Sequence, residues 1–280
     1  MNYQILQGDN RETLKTIPDN SIDAIVTDPP YGIDFLGKSW DANTGAVETY
    51  QECLRVLKPG GHILAFSAAR TYHHLAVTLE QAGFEIRDQI MWLQSNGFPK
   101  STGHLKPQHE PICMAKKAGK TYLNITDTTV NGRYPSNVIG DIEYPYQKYF
   151  YSPKVSREER HIGHTMPPAM FGKQQGAFDN SGQRYAVGLD AREGNVGNNH
   201  PTVKPIELMK YLIRLITPPG GTVLDPFNGS GSTGCAAVEL GHPYIGCELD
   251  ERYVEIAQRR IEAWHAHANP TLFNRLFDTE

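Results

Sequence analysis

The sequence predicts an α/β fold built on a doubly wound, mostly parallel sheet, and three observations carry that expectation. Short apolar runs, of strand length, alternate with amphipathic helical patterns over residues 1–115 and again over 200–280. The helical stretches space their apolar residues three and four apart. Turns such as Gly8-Asp9, Pro59-Gly60-Gly61 and Pro218-Pro219-Gly220-Gly221 punctuate the alternation.

Taken in order, Tyr3-Gln4-Ile5-Leu6-Gln7 reads as a strand, and a short helix follows through Leu14 to Ile17. Ala24-Ile25-Val26-Thr27 reads as a buried strand. Residues 33–43 are irregular, and their Phe35 and Trp40 are expected to cover a pocket. Val47, Tyr50, Leu54 and Leu57 lie on one face of a helix, which is expected to end at Pro59-Gly60-Gly61 ahead of a strand over 62–66. Tyr72, Leu75, Ala76 and Leu79 mark another helix, stopped at Gly83, and strands are expected over 84–93 and 111–115.

Residues 116–199 lose this rhythm: they are rich in Gly, Asn, Tyr and Pro and show no strong helical period. A loop of that length is usually functional or disordered. The rhythm returns with a helix carrying Leu208, Tyr211, Leu212 and Leu215, then a strand over 222–225, a glycine-rich turn and a helix to Leu240. A strand over 244–247 and a helix carrying Val254, Ala257, Ile261 and Trp264 complete it. The tail gathers Leu272, Phe273, Leu276 and Phe277, expected to dock on the body or on a second subunit.

Two strand ends carry chemistry. Asp28-Pro29-Pro30-Tyr31-Gly32 follows the second strand. Asp28 is an anionic acceptor, the carbonyls of Pro29 and Pro30 are held in fixed directions by the rings, and Tyr31 offers a flat face with a polar tip. Together they suit a planar ring bearing an amino group. Far downstream, Asp225-Pro226-Phe227-Asn228-Gly229-Ser230-Gly231-Ser232-Thr233-Gly234 joins a strand to a helix. Its glycines spell G-x-G-x-x-G, which lets a ligand approach backbone amides at a helix start. Glu248 ends the next strand, where a carboxylate can accept both ribose hydroxyls. On these residues alone, S-adenosylmethionine and NAD serve equally well.

The pair of motifs resembles the DNA amino-methyltransferases, which use S-adenosylmethionine to methylate the exocyclic amino group of adenine or cytosine. The resemblance covers residues 2–114 and 200–261, and the order, with Asp-Pro-Pro-Tyr first, looks like the permuted β class. It implies a Rossmann-like methyltransferase sheet in three parts: a catalytic half over 1–115, a DNA target-recognition insertion over 116–199 and a cofactor-binding half over 200–280. It makes Asp28, Pro29, Pro30 and Tyr31 catalytic. It implies that Asp225 and Phe227 lie beside the methionine part of the cofactor, with Gly229 and Gly231 in the cofactor loop, and that Glu248 binds the ribose. Asp9 is implied to take the adenine amino group, while also being a natural helix cap. The segment His200-Pro201-Thr202-Val203-Lys204-Pro205 matches the family too, and Thr202 and Lys204 are implied at the methionine carboxylate. Asp in the first motif position goes more often with adenine, Ser with cytosine. An oxidoreductase using NAD at the glycine loop is the alternative from another class, and it leaves residues 28–31 unexplained.

The composition suits this reading. The 280 residues carry a net charge of −4, unevenly spread. Residues 90–206 hold 14 Lys and Arg against 9 Asp and Glu, a net of +5, while the remainder holds 13 against 22, a net of −9. A positive middle on an acidic body is what a DNA-facing insertion gives, and Arg133, Tyr134, Lys148, Tyr149, Tyr151, Lys154, Arg157, Arg160, Lys173 and Arg184 mix cations with rings there. Cys53, Cys113, Cys235 and Cys247 form no C-x-x-C pair and read as buried thiols of a reducing cytosol, with no metal site. No apolar run reaches the ~18 residues of a membrane span. The expected partners are double-stranded DNA, a second copy of the chain and a cognate restriction nuclease, with no membrane, in the cytoplasm.

Overall fold

The computed structural model of the protein describes residues 1–33, 44–94, 105, 107–129, 132–140, 155–164, 197–200 and 202–268. The expected pocket cover at 34–43 and the apolar tail fall outside them, as do Lys148, Tyr149, Tyr151, Lys154, Lys173 and Arg184 of the middle region. The first half runs β1 (Tyr3–Gln7), α1 (Asn10–Thr13) with a 3-10 turn at Leu14–Thr16, β2 (Ile22–Thr27), α2 (Val47–Val56), β3 (Leu57–Phe66), α3 (Tyr72–Ala82), β4 (Glu85–Leu93) and β5 (His109–Lys116). The middle supplies α4 (Ile125–Thr128), β6 (Val138–Gly140) and α5 (Arg157–His161). The chain then continues through α6 (Ile206–Ile216), β7 (Val223–Asp225), α7 (Ser232–Glu239), β8 (Tyr244–Glu248) and α8 (Glu251–Ala268).

The strands form one sheet in the order β1-β8-β7-β2-β3-β5-β4-β6. All run the same way except β5, which is antiparallel to β3 and β4. The expected doubly wound, mostly parallel sheet is therefore present. Its strand order reverses between β2 and β7: the chain leaves β2 for β3 on one side, and β7 pairs with β2 on the other through Ala24↔Val223 and Ile25↔Leu224. The crevice outside the carboxyl ends at such a reversal is where open α/β sheets bind ligands.

Alternation along the central strands builds a core on each face. Ala24, Val26, Leu64 and Phe66 point to one side and pack with residues of α6 and α7 and with Ile261 of α8. Ile25, Ile63 and Ala65 point to the other and pack with α2 and α3. All four cysteines are free and buried, as expected. No described helix is long and apolar enough to cross a membrane.

The third glycine of the 229–234 turn serves packing. A Cβ on Gly234 would lie 2.5 Å from Ile261 Cδ1 and 2.8 Å from Tyr244 Cε1. Gly234→Ala is therefore expected to lower stability by about 1–3 kcal/mol, as overpacking does. A denaturant midpoint equal to that of the unaltered protein would contradict this.

Two expectations need correcting. Pro59-Gly60-Gly61 does not end α2, because the chain passes straight from Val56 into β3 at Leu57. The glycines instead form an irregularity inside the strand, where the β2–β3 register shifts between Ile22 and Ala24. Gly60 has φ +82°, and a Cβ there would sit 1.8 Å from the Lys120 carbonyl oxygen. The middle region is also not devoid of structure. β6 adds to the sheet edge beside β4, and α5 packs back on the body: Glu159 Oε1 accepts from the Ile206 amide at 2.6 Å, and Arg160 donates to the His200 carbonyl at 2.7 Å. Elements of three to five residues are too short to show a period.

Candidate active site

A cavity of about 1000 Å³ opens at the reversal between β2 and β7. It is the size of a large ligand pocket. The residues of the two motifs line it except Gly32, Gly231 and Gly234, together with Asp9, Thr202, Lys204 and Glu248. Gly231 lies within the same turn, with φ +77°, and caps α7.

The two motif loops are tied together at their roots. Asp225, at the end of β7, is buried and accepts from Thr27 Oγ1 of β2 and from Thr233 Oγ1 of α7, both at 2.6 Å, and from the Phe227 amide at 3.0 Å. Burial raises its carboxyl to about 6, against the pull of these donors. Asn10 secures the loop further by donating to the Pro226 carbonyl at 3.0 Å and accepting from Thr49 at 2.9 Å.

At the end of β2, Asp28 accepts from Tyr31 Oη on Oδ1 at 2.9 Å and from Lys204 Nζ on Oδ2 at 2.5 Å. Glu110 of β5 joins them: its Oε2 lies 2.9 Å from the same Tyr31 hydroxyl, whose single proton the two carboxylates share, and 3.6 Å from Lys204 Nζ, while Oε1 accepts from Gln94 at 2.5 Å. Burial raises the Asp28 carboxyl, and the Lys204 ammonium offsets part of that rise. Burial alone would lower Lys204, but Asp28 and Glu110 outweigh it and hold the ammonium above its ordinary value. Burial also pushes the Tyr31 hydroxyl up. Lys204, implied at the cofactor carboxylate, is thus buried beside Asp28, its ammonium 5.0 Å from the centre of the Phe66 ring and 5.4 Å from that of Tyr31.

Glu248, at the end of β8, accepts from the Gly229 amide at 2.8 Å and the Asp250 amide at 2.9 Å, and burial raises it to about 7. Asp9 caps α1 by accepting from the Arg11 amide at 2.9 Å, and its ion pair with Arg11 holds its carboxyl below the usual range. Phe227 packs against Tyr50, with ring centres 6.3 Å apart. His200 is pushed down to about 3 by burial and is therefore neutral, with Nδ1 accepting from the Thr202 amide at 3.4 Å. Its ring stands edge-on to Tyr253 at 4.7 Å and close over Gly229, which a Cβ at 229 would meet at 2.8 Å.

This geometry fits a sulfonium better than a pyrophosphate. The lining carries a surplus of carboxylates, with Asp9, Asp28, Glu110, Asp225, Glu248 and Asp250 against Arg11, Arg160, Lys204 and Arg252. The amides of Phe227, Asn228, Gly229 and Gly231 are already used within the protein, by Asp225, Cys247, Glu248 and Asn228. A dinucleotide would bring its two phosphates to carboxylates and occupied donors.

The sequence profile of the DNA methylase family matches residues 22–259. The chain belongs to this family. It is 29% identical over 268 residues to the DNA adenine methyltransferase YhdJ of Escherichia coli K12, covering 92% of this chain and 82% of that one. It is 27% identical over 279 residues to the type II methyltransferase M.HinfI of Haemophilus influenzae, covering 92% of this chain and 67% of that one. The fold of this DNA methylase is shared with the M1.HpyAVI–SAM complex, at TM-score 0.57, 23% identity and coverage of 92% and 99%. It is likewise shared with the cytosine-N4-specific PvuII DNA methyltransferase, at TM-score 0.62, 17% identity and coverage of 96% and 93%.

Sequence reasoning missed Thr27, Glu110 and Gln94, named Arg160 only as a cation of the middle region rather than as a donor to the His200 carbonyl, and gave His200 no role of its own. None belongs to a motif loop except through the fold. The one signal available was that Glu110 directly precedes the strand expected over 111–115.

Proposed function

We propose that this DNA methylase moves a methyl group from S-adenosylmethionine to the N6 amino group of an adenine flipped out of duplex DNA. The observation that carries the proposal is the Thr27–Asp225 hydrogen bond, which joins the root of the 28–31 loop to that of the 225–234 loop inside one cavity. The adenine name of the Escherichia coli relative supports the choice of base, as does Asp rather than Ser at position 28.

A ring amino group is a poor nucleophile because its lone pair is delocalised. In this reading Asp28 and the Pro29 carbonyl accept the amino hydrogens, which turns the lone pair out of the ring and along the line of attack. Asp28 also faces the positive charge that grows on the nitrogen. Tyr31 stacks on the extruded base. S-adenosylmethionine, when bound, supplies an electrophilic methyl on a sulfonium. Glu248 would hold its ribose, Asp9 its adenine amino group, and Asp225, Phe227, Gly229, Gly231 and Thr202 its methionine side, while Lys204, implied there by the resemblance, serves Asp28 instead. No covalent intermediate on the protein is required.

Residues 116–199 would read the target sequence. Tyr134, 83% exposed, is available for this. The reading includes a restriction nuclease of matching specificity, which the type II name of the Haemophilus relative supports, a second copy of the chain, and work in the cytoplasm. Mass spectrometry of DNA from an expressing host tests the chemistry. N6-methyladenine at one sequence context is expected, and N4-methylcytosine alone would overturn the choice of base.

A further inference from the structure

Both oxygens of Asp28 are engaged, Oδ1 by Tyr31 and Oδ2 by Lys204 at 2.5 Å. That arrangement is unsuited to methyl transfer. Positive charge develops on the amino nitrogen as the methyl arrives, and an ammonium on the same carboxylate cancels the field meant to stabilise it. The lysine needs another anion within reach, because a buried ammonium left alone is costly.

Glu110 is that anion. Its Oε2 lies 3.6 Å from Nζ, already within ion-pair range, and shares the Tyr31 hydroxyl with Asp28. Gln94 holds the other oxygen, so the carboxylate is aimed before any ligand enters. Phe66 and Tyr31 flank the ammonium, and their faces favour it at either carboxylate.

We propose that Glu110 is a positioning residue for methyl transfer: it takes over the Lys204 ammonium, and with it the Tyr31 hydroxyl, when the target amino group claims Asp28. The site holds two carboxylates and one ammonium so that no charge is stranded as the partners exchange. Lys204 then guards Asp28 until a base arrives and leaves it without crossing open space. This rests on the function proposed above, and adds to it a residue outside both motifs.

The test compares the unaltered protein with Glu110→Gln and Glu110→Asp in single-turnover methyl transfer to duplex DNA at saturating S-adenosylmethionine. Cofactor affinity is measured by calorimetry alongside. Glu110→Gln keeps the shape and the Gln94 contact but loses the charge. It is expected to slow transfer by about 10–100-fold while cofactor affinity changes little. Glu110→Asp leaves a small gap but keeps the charge, and is expected to be the faster of the two. A packing role reverses that order, since the isosteric amide fills the space better; the reversed order, or full activity in Glu110→Gln, overturns the positioning role. If the unaltered protein transfers no methyl group to DNA, the function itself fails, which separates the two outcomes.

Discussion

Asp28→Ala is expected to lower single-turnover methyl transfer by about 10²–10³-fold while leaving S-adenosylmethionine binding within a few-fold. The expectation follows from where the side chain sits. Asp28 lies just past the end of β2, and its partners are Tyr31 and Lys204 rather than the glycine loop. In the proposed reaction, removing it strips the acceptor that would localise the amino lone pair, and it leaves the 225–234 turn untouched. The lysine retains Glu110 at 3.6 Å, so the fold survives the loss of one carboxylate. Transfer with a labelled methyl donor, read beside calorimetry, checks both halves. Normal transfer by Asp28→Ala would remove the assigned role.

Glu248→Ala is expected to weaken S-adenosylmethionine binding by about 10–100-fold, the loss of one or two hydrogen bonds to a charged group. The same residue gives a pH dependence with a definite sign. Burial raises its carboxyl to about 7, above the ordinary carboxylate value. The ligand-free fold therefore holds a proton there that the unfolded chain has already released, and the Glu248 contribution to stability is lost as pH rises through 7. Ligand binding runs the other way, because ribose hydroxyls donate to the ionised form. Affinity is expected to fall as pH drops from about 8 to 6, and Glu248→Gln is expected to flatten that slope. An equally steep slope in the variant would place the titrating group elsewhere.

The fold was legible where periodicity and punctuation agreed. β2 carries a short apolar run, α3, α6 and α8 carry regular helical patterns, and each lies where its apolar residues indicate. The Pro59-Gly60-Gly61 turn was misread because a proline followed by two glycines marks a break in either structure, and only the neighbouring strands reveal a bulge inside β3. The site was legible as far as its motifs extend. Asp28 and Asp225 announce themselves because strand-end carboxylates flanked by proline and glycine are uncommon words. Glu110 does not, since a glutamate at the start of a strand is ordinary until β5 is known to run antiparallel beside β3. Lys204 was visible, but the sequence offered no means of choosing between a cofactor carboxylate and Asp28.

A crystal structure of the protein with bound S-adenosylmethionine tests the account most directly. The expected result is a ribose on Glu248, with the sulfonium methyl turned across the Thr27–Asp225 bond toward Asp28 and Tyr31. A cofactor bound outside this cavity, or inside it with its methyl facing away from Asp28, would contradict the account.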